Sequence, residues 1–182
     1  MGESLVDAAA IPESLVLIST HGGSGATTWA RLLEAMMPGH VIEWQPGMRE
    51  GHDRLPILVA RSTATGLRAA SDWVTRWRPE LQRPVLLLVA DAPFHMPQLA
   101  RYRVRALSSA LRSVIEVPYL YRLRAVDDPV VLLNTRPVAQ ALNSIRSRLV
   151  ELVHTSSHAQ KGRRVEVPIQ PLAVPSPPYG HI

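Results

Sequence analysis

The chain has 182 residues, 46% of them hydrophobic, which is enough apolar material for one ordinary domain with a sizeable core. It contains no cysteine, so a disulfide scaffold, thiolate metal sites and thiol catalysis are excluded. The net charge of +5 is uneven: residues 1–96 sum to −2, residues 97–164 to +8 and residues 165–182 to −1, so the second half is the part that would face an acidic partner, nucleic acid or anionic lipid.

Along the chain, residues 1–13 carry little pattern. With Glu3 and Asp7 and no basic residue before Arg31, they do not read as a signal peptide. Leu15 to Ile18 is a short aliphatic run, expected as a strand buried on both faces. A glycine-rich turn follows, then a helix with Trp29, Leu33 and Met36 at helical spacing. Val41 to Trp44 is a weaker strand candidate, and Ile57 to Ala60 a clear one. Leu67, Ala70, Val74 and Trp77 mark the next helix, Val85 to Ala90 the next strand and Val114 to Val117 the last. Val138, Ala141, Leu142, Ile145, Leu149 and Leu152 form the clearest apolar stripe, on a helix expected to run to about residue 153.

Strands alternating with helices predict right-handed βαβ units in a three-layer α/β fold, with a mostly parallel sheet of about five strands. Residues 1–13 are expected to be an N-terminal extension, 14–153 the domain and 154–182 a polar, then proline-rich tail. That tail, with Pro168, Pro171, Pro175, Pro177 and Pro178, favours extended chain laid along a surface or a partner. No apolar run approaches the ~18 residues of a membrane span, so a soluble, cytoplasmic chain is expected.

The most informative segment runs from Leu15 to Leu33: strand, glycine-rich turn, then a helix opening with Thr27 and Thr28. Gly22, Gly23 and Gly25 let backbone N–H groups converge, and the helix N-terminus adds positive potential, a combination suited to an anion. His21-Gly22-Gly23-Ser24-Gly25-Ala26-Thr27-Thr28 resembles the Lys-Gly-Gly-x-Gly-Lys-Thr-Thr loop of ParA/MinD-type ATPases, P-loop proteins with a deviant Walker A motif. The resemblance extends over roughly residues 14–153. Glu43-Trp44-Gln45-Pro46 lies where the family has Asp-x-Asp-Pro, and Ile57 to Ala60 with Thr63-Ala64-Thr65 is similar to a later strand and helix start. Val85 to Asp91 resembles the strand before the base-binding region, and Ile115 to Tyr119 the strand ending near the adenine.

The resemblance implies a P-loop NTPase-like, Rossmann-like fold. It also implies contacts to ATP from His21, Gly22, Gly23, Ser24, Gly25, Thr27 and Thr28, with Thr27 on Mg²⁺ if the nucleotide binds. The departures cut against catalysis. His21 replaces the signature lysine that reaches a dimer partner's nucleotide, and Ala26 replaces the lysine on the β/γ-phosphates. Glu43 and Gln45 stand in for the family's carboxylates, and no counterpart of the Walker B strand lies between Pro46 and Ile57. Nineteen of the 20 Lys+Arg residues are arginine, and the one lysine, Lys161, is far downstream. Arg31 lies one turn into the helix, too far along to face the loop. Losing one charge-assisted contact weakens phosphate binding by about 10- to 150-fold, and each lost transition-state stabiliser removes a further factor of about 10²–10³ in rate.

The expectation is therefore a catalytically silent ParA/MinD-like domain that holds no cofactor firmly. It would serve as a binding or assembly component, alone or as an oligomer, in a DNA-partitioning, conjugation or secretion machine. One alternative is an ATP-binding or ATP-hydrolysing enzyme using His21, Thr27 and Glu43. A second is a nucleic-acid-binding protein using the basic second half. Arg101, Arg105 and Arg112 are expected on one ~40° stripe of the helix after Pro97, facing phosphates or an acidic protein, with Arg103 projecting among apolar residues. Trp29, Trp44, Trp73 and Trp77 are expected in the core or a sheet–helix seam rather than stacking on bases, with Trp44, just past a strand, the one placed for a surface contact. His154 and His158, four residues apart, make an incomplete metal pair. Gly22 to Ala26 also approaches an esterase nucleophile elbow around Ser24, one glycine short.

Overall fold

In a computed structural model, which describes residues 14–46, 48 and 54–161 and the side chains of the last helix as far as Leu152, five strands form one sheet. These are β1 (Leu15–Ser19), β2 (Val41–Glu43), β3 (Leu55–Arg61), β4 (Val85–Val89) and β5 (Ser113–Val117). Every pairing is parallel, in the order β2-β1-β3-β4-β5. The helices are α1 (Ala26–Met36), α2 (Ala64–Thr75), α3 (Gln98–Ser108) and α4 (Arg136–Lys161), with 3₁₀ turns at Tyr121–Arg124 and Pro129–Leu132. This is an α/β, Rossmann-like arrangement, as the alternation of apolar runs and amphipathic stretches predicts.

The strands are aliphatic because both faces are covered. Leu15, Leu17, Ile57, Val59, Val85, Leu87, Ile115 and Val117 pack against α1 and α4, with Trp29, Leu142, Ile145 and Leu149 completing that core. Val16, Ile18, Leu58, Ala60, Leu86 and Leu88 point the other way, onto Leu67, Ala70, Ala100 and Leu107 of α2 and α3. Pro56 is tolerated in β3 because it precedes Ile57, where pairing with β4 begins. The strand bounds differ from expectation by one or two residues, whereas α4 continues to Lys161 rather than stopping near 153.

One expectation about exposed side chains is corrected. α3 ends at Ser108 because Ser108 and Ser109 donate their hydroxyls to Arg105 O (2.6 Å) and Ala106 O (3.4 Å), competing with the helical pattern. Arg112 therefore falls beyond the helix and shares no stripe with Arg101 and Arg105. Its guanidinium donates to Leu152 O (2.5 Å) and Gln82 Oε1 (3.3 Å), tying α4 to the chain before β4, and burial lowers its pKa. Trp44 is half-buried against the α2–α3 core, edge-on to Trp73 at 6.0 Å, because its position after the edge strand β2 turns it toward α2. Trp29 is a core residue, as expected. Residues 1–13, the side chains of His154, His158 and Lys161, and the proline-rich segment lie outside the described part.

Candidate functional site

In this strand order the chain leaves β1 toward β2 on one side and returns to β3 on the other. The crevice above the carboxyl ends of β1 and β3 is thus a topological switch point, the general ligand position in open parallel sheets. The glycine-rich segment occupies it. Thr20 fixes the start of the turn, since its N–H and its buried hydroxyl both donate to Val59 O (3.2 and 2.8 Å). Gly23 and Gly25 have φ of +78° and +93°, left-handed values that only glycine adopts freely, and Gly25 is the N-cap of α1.

The hydroxyls beneath the turn form one ordered chain. Ser19 Oγ donates to His21 O (2.8 Å), so in the Ser19–Ser24 contact (2.9 Å) the proton is Ser24's, and Ser24 Oγ in turn accepts from Ala26 N (3.3 Å). Ser24 is 1% exposed. A nucleophile needs an exposed oxygen and a basic partner, and Ser24 has neither, so the esterase alternative is overturned. His21 is turned inward: Nδ1 donates to Gly22 O (2.9 Å) while Nε2 accepts from Arg61 N (3.4 Å), the Nδ1-protonated tautomer by its partners. Gly66, in the first turn of α2, lies so close that an added Cβ would overlap Arg61 O.

Of the expected loop contacts, Gly22, Gly23 and Thr27 face solvent, Gly25 and Thr28 are half-buried, and Ser24 is beneath. Ala26, where the resemblance would put the phosphate lysine, is 3% exposed and part of the α1–α4 core. Thr27 Oγ1 donates to Glu43 Oε1 at 2.7 Å, so the two oxygens that could share a cation stand together. Among the described residues no group of three or more His, Asp or Glu side chains is placed to hold a metal ion. Arg31 pairs with Asp128 (3.8 Å), away from the loop, as its place one turn along predicts.

Three charged residues join the site that no motif points to. Arg61, the last residue of β3, donates from Nε to Gly23 O (3.1 Å) and pairs through Nη1 with Asp91 Oδ1 (3.5 Å). Arg124, in the first 3₁₀ turn, donates to the same Oδ1 (2.7 Å) and to Asp91 O (3.2 Å), and stacks over Tyr119 at 5.3 Å. Burial, then the like charge of Arg124, lowers the Arg61 pKa, with Asp91 and Tyr119 acting in the opposite direction. A cavity of about 50 Å³ is lined by Arg61, Arg124 and Tyr119 together with Gly25, Thr28 and Trp29. Their signal in sequence is positional: Arg61 ends the buried aliphatic strand β3 and Asp91 stands just past β4.

Elsewhere, Arg101 and Arg105 are exposed on α3. They share that surface with exposed Leu99 (63%) and Tyr102 (57%), and Phe94 (83%) precedes the helix. Arg103 is also exposed and reaches Ala64 O (3.4 Å) rather than projecting into the core.

The fold and site together define a parallel α/β domain with a glycine-rich turn at its switch point. No known protein-family model matches the chain, and no curated protein matches it. Among the described residues no helix is long and apolar enough to cross a membrane.

Proposed function

We propose that the chain is a ParA/MinD-like P-loop domain that has lost ATP hydrolysis and serves as a binding component of a larger assembly, of the DNA-partitioning, conjugation or secretion kind. The observation that carries this reading is Ala26, buried in the core at the one loop position from which a lysine would reach β- and γ-phosphates. Without that amine or a second carboxylate beside Glu43, the turn keeps the backbone amides of an anion site and loses the charges that stabilise a transferring phosphoryl group.

The residues present fit a weakly held Mg–nucleotide. Thr27 Oγ1 and Glu43 would hold the metal, and phosphates and water would supply its remaining oxygens. Bound Mg²⁺ would supply charge neutralisation at the phosphates. That same pair favours the second reading, an ATP-binding or ATP-hydrolysing enzyme with an unfamiliar loop. For the partner, Leu99 and Tyr102 interleaved with Arg101 and Arg105 on α3 favour a protein surface bearing acidic side chains over a nucleic acid, because large exposed apolar side chains are what protein interfaces bury.

Thermal unfolding with and without ATP–Mg²⁺, run beside a phosphate-release assay, tests the reading. The expected result is at most a small shift at millimolar nucleotide and no turnover. Turnover at rates ordinary for the ParA/MinD family, abolished by Thr27→Ala, would overturn it.

A further inference from the structure

The cavity beside the glycine-rich turn is walled by cations that the turn itself does not provide. Arg61 and Arg124 share a single carboxylate oxygen, Asp91 Oδ1, so the cluster carries a net charge of +1. Arg61 Nη2 and Arg124 Nε and Nη1 have no protein acceptor among the described residues. The planes of both guanidinium groups are fixed, one by the Gly23 carbonyl and one by the Tyr119 ring. Gly25 and Thr28 line the same cavity, at the start of a helix with neither a side-chain cap nor an acidic residue in its first turn.

We propose that this cavity is a receptor for a single phosphoryl group, with Arg61 and Arg124 as its binding residues and Asp91 as the carboxylate that an incoming anion competes with. The inference rests on reading the turn as an anion site and adds the cation that Ala26 cannot supply. The lining selects the ligand. Two guanidinium groups, the Tyr119 ring and the start of α1 at Gly25 and Thr28 border one small cavity, which places arginine donors and a helix N-terminus around the same space. Charge selects it further. A monocarboxylate is already present as Asp91, so an incoming ligand gains most by bringing two charges and several oxygens to the unused guanidinium donors, the geometry in which arginine binds phosphate best. Burial, then the like charge of Arg124, lowers the Arg61 pKa, as expected of a cation held beside another cation.

The three side chains predict effects of opposite sign. Titrating the full chain with inorganic phosphate by calorimetry, against chloride at matched ionic strength, should show saturable binding that phosphate-free adenosine does not compete for. Arg61→Gln and Arg124→Gln should each raise the phosphate Kd by about 10- to 150-fold, the range for one lost charge-assisted hydrogen bond. Asp91→Asn removes a competing negative charge and should lower it. If the arginine variants fail to fold, the Nε–Hε resonances of Arg61 and Arg124 in the unaltered protein should shift on adding phosphate. ADP serves as the second arm: binding competed by phosphate identifies a nucleotide as the source of the group, and phosphate binding without ADP binding identifies the free ion. No phosphate binding beyond that of chloride, equal affinity in the arginine variants, or weakened binding in Asp91→Asn would each overturn the inference. ATP binding that survives both arginine substitutions, with no response to phosphate, would refute this cavity while leaving the loop reading intact. ATP turnover would do the reverse.

Discussion

Replacing Gly66 by alanine sets two physical effects against each other at one atom. Gly66 lies in the first turn of α2, where helix propensity alone favours alanine by about 0.8–1 kcal/mol. A Cβ there would overlap Arg61 O and stand 3.0 Å from His21 Nε2 and 3.1 Å from the Arg61 carbonyl carbon. These atoms have little room to yield, because Arg61 closes a central strand paired on both sides and His21 is held through both ring nitrogens. Relief requires lifting the first turn of α2, an overpacking cost of about 1–3 kcal/mol. It also disturbs the Thr63 cap, whose hydroxyl accepts from Gly66 N at 3.0 Å and contributes about 1 kcal/mol. The net expectation is destabilisation by about 1–3 kcal/mol, against the sign that propensity alone gives. Urea unfolding reads this as a lower midpoint at unchanged slope. Gly22→Ala is the control: nothing stands within 4 Å of the methyl group it would add, so stability should change by less than about 0.5 kcal/mol. A neutral or stabilising Gly66→Ala would refute the close packing of α2 on the joint between Arg61 and His21.

Trp29→Ala should cost about 3–5 kcal/mol in the same assay, since the indole is 2% exposed in the α1–α4 core; a loss under about 1 kcal/mol would contradict that packing. Arg112→Met should destabilise by about 1–3 kcal/mol by leaving Leu152 O and Gln82 Oε1 without this donor, with amide exchange in α4 rising more than in α1. Uniform exchange would count against Arg112 as a tie for α4. Fluorophosphonate probes should leave Ser24 unlabelled in the folded chain, since its proton is committed to Ser19; labelling resolved to Ser24 by mass spectrometry would reopen the esterase reading.

The fold was legible because burial on both faces leaves a signature that does not depend on distant partners. Val85 to Val89 and Leu15 to Ile18 are uniformly aliphatic for that reason, and the stripe from Val138 to Leu149 is unmistakably helical. The turn was legible too, because left-handed backbone at Gly23 and Gly25 demands glycine locally. What escaped depends on tertiary placement. Arg61 reads in sequence as the polar end of a strand, and only the register of β3 between β1 and β4 brings it to Gly23 and Asp91. Arg112 fits a helical stripe arithmetically, and it took two serine hydroxyls bonding back to the chain to end the helix four residues earlier.

The scarcity of lysine bears differently on function once Arg61 is placed. A lysine at the Ala26 position would ride on α1 as a flexible stem, free to follow charge as a phosphoryl group transfers. Arg61 approaches from β3, is bonded to Gly23 O and Asp91, and is 22% exposed in its side chain. A guanidinium so held offers a fixed fork of donors, well suited to recognising a phosphoryl group and poorly suited to tracking one through a reaction. The same anchoring explains why Asp91 belongs to the cluster: without it two neighbouring guanidinium groups would border a small cavity, uncompensated except by a ligand. Under this reading the cavity should be most ordered when an oxyanion is bound, and in Asp91→Asn it should depend on one. Phosphate should then raise the unfolding temperature of Asp91→Asn by more than that of the unaltered chain. Equal shifts would mean that Asp91 neither competes with the anion nor substitutes for it.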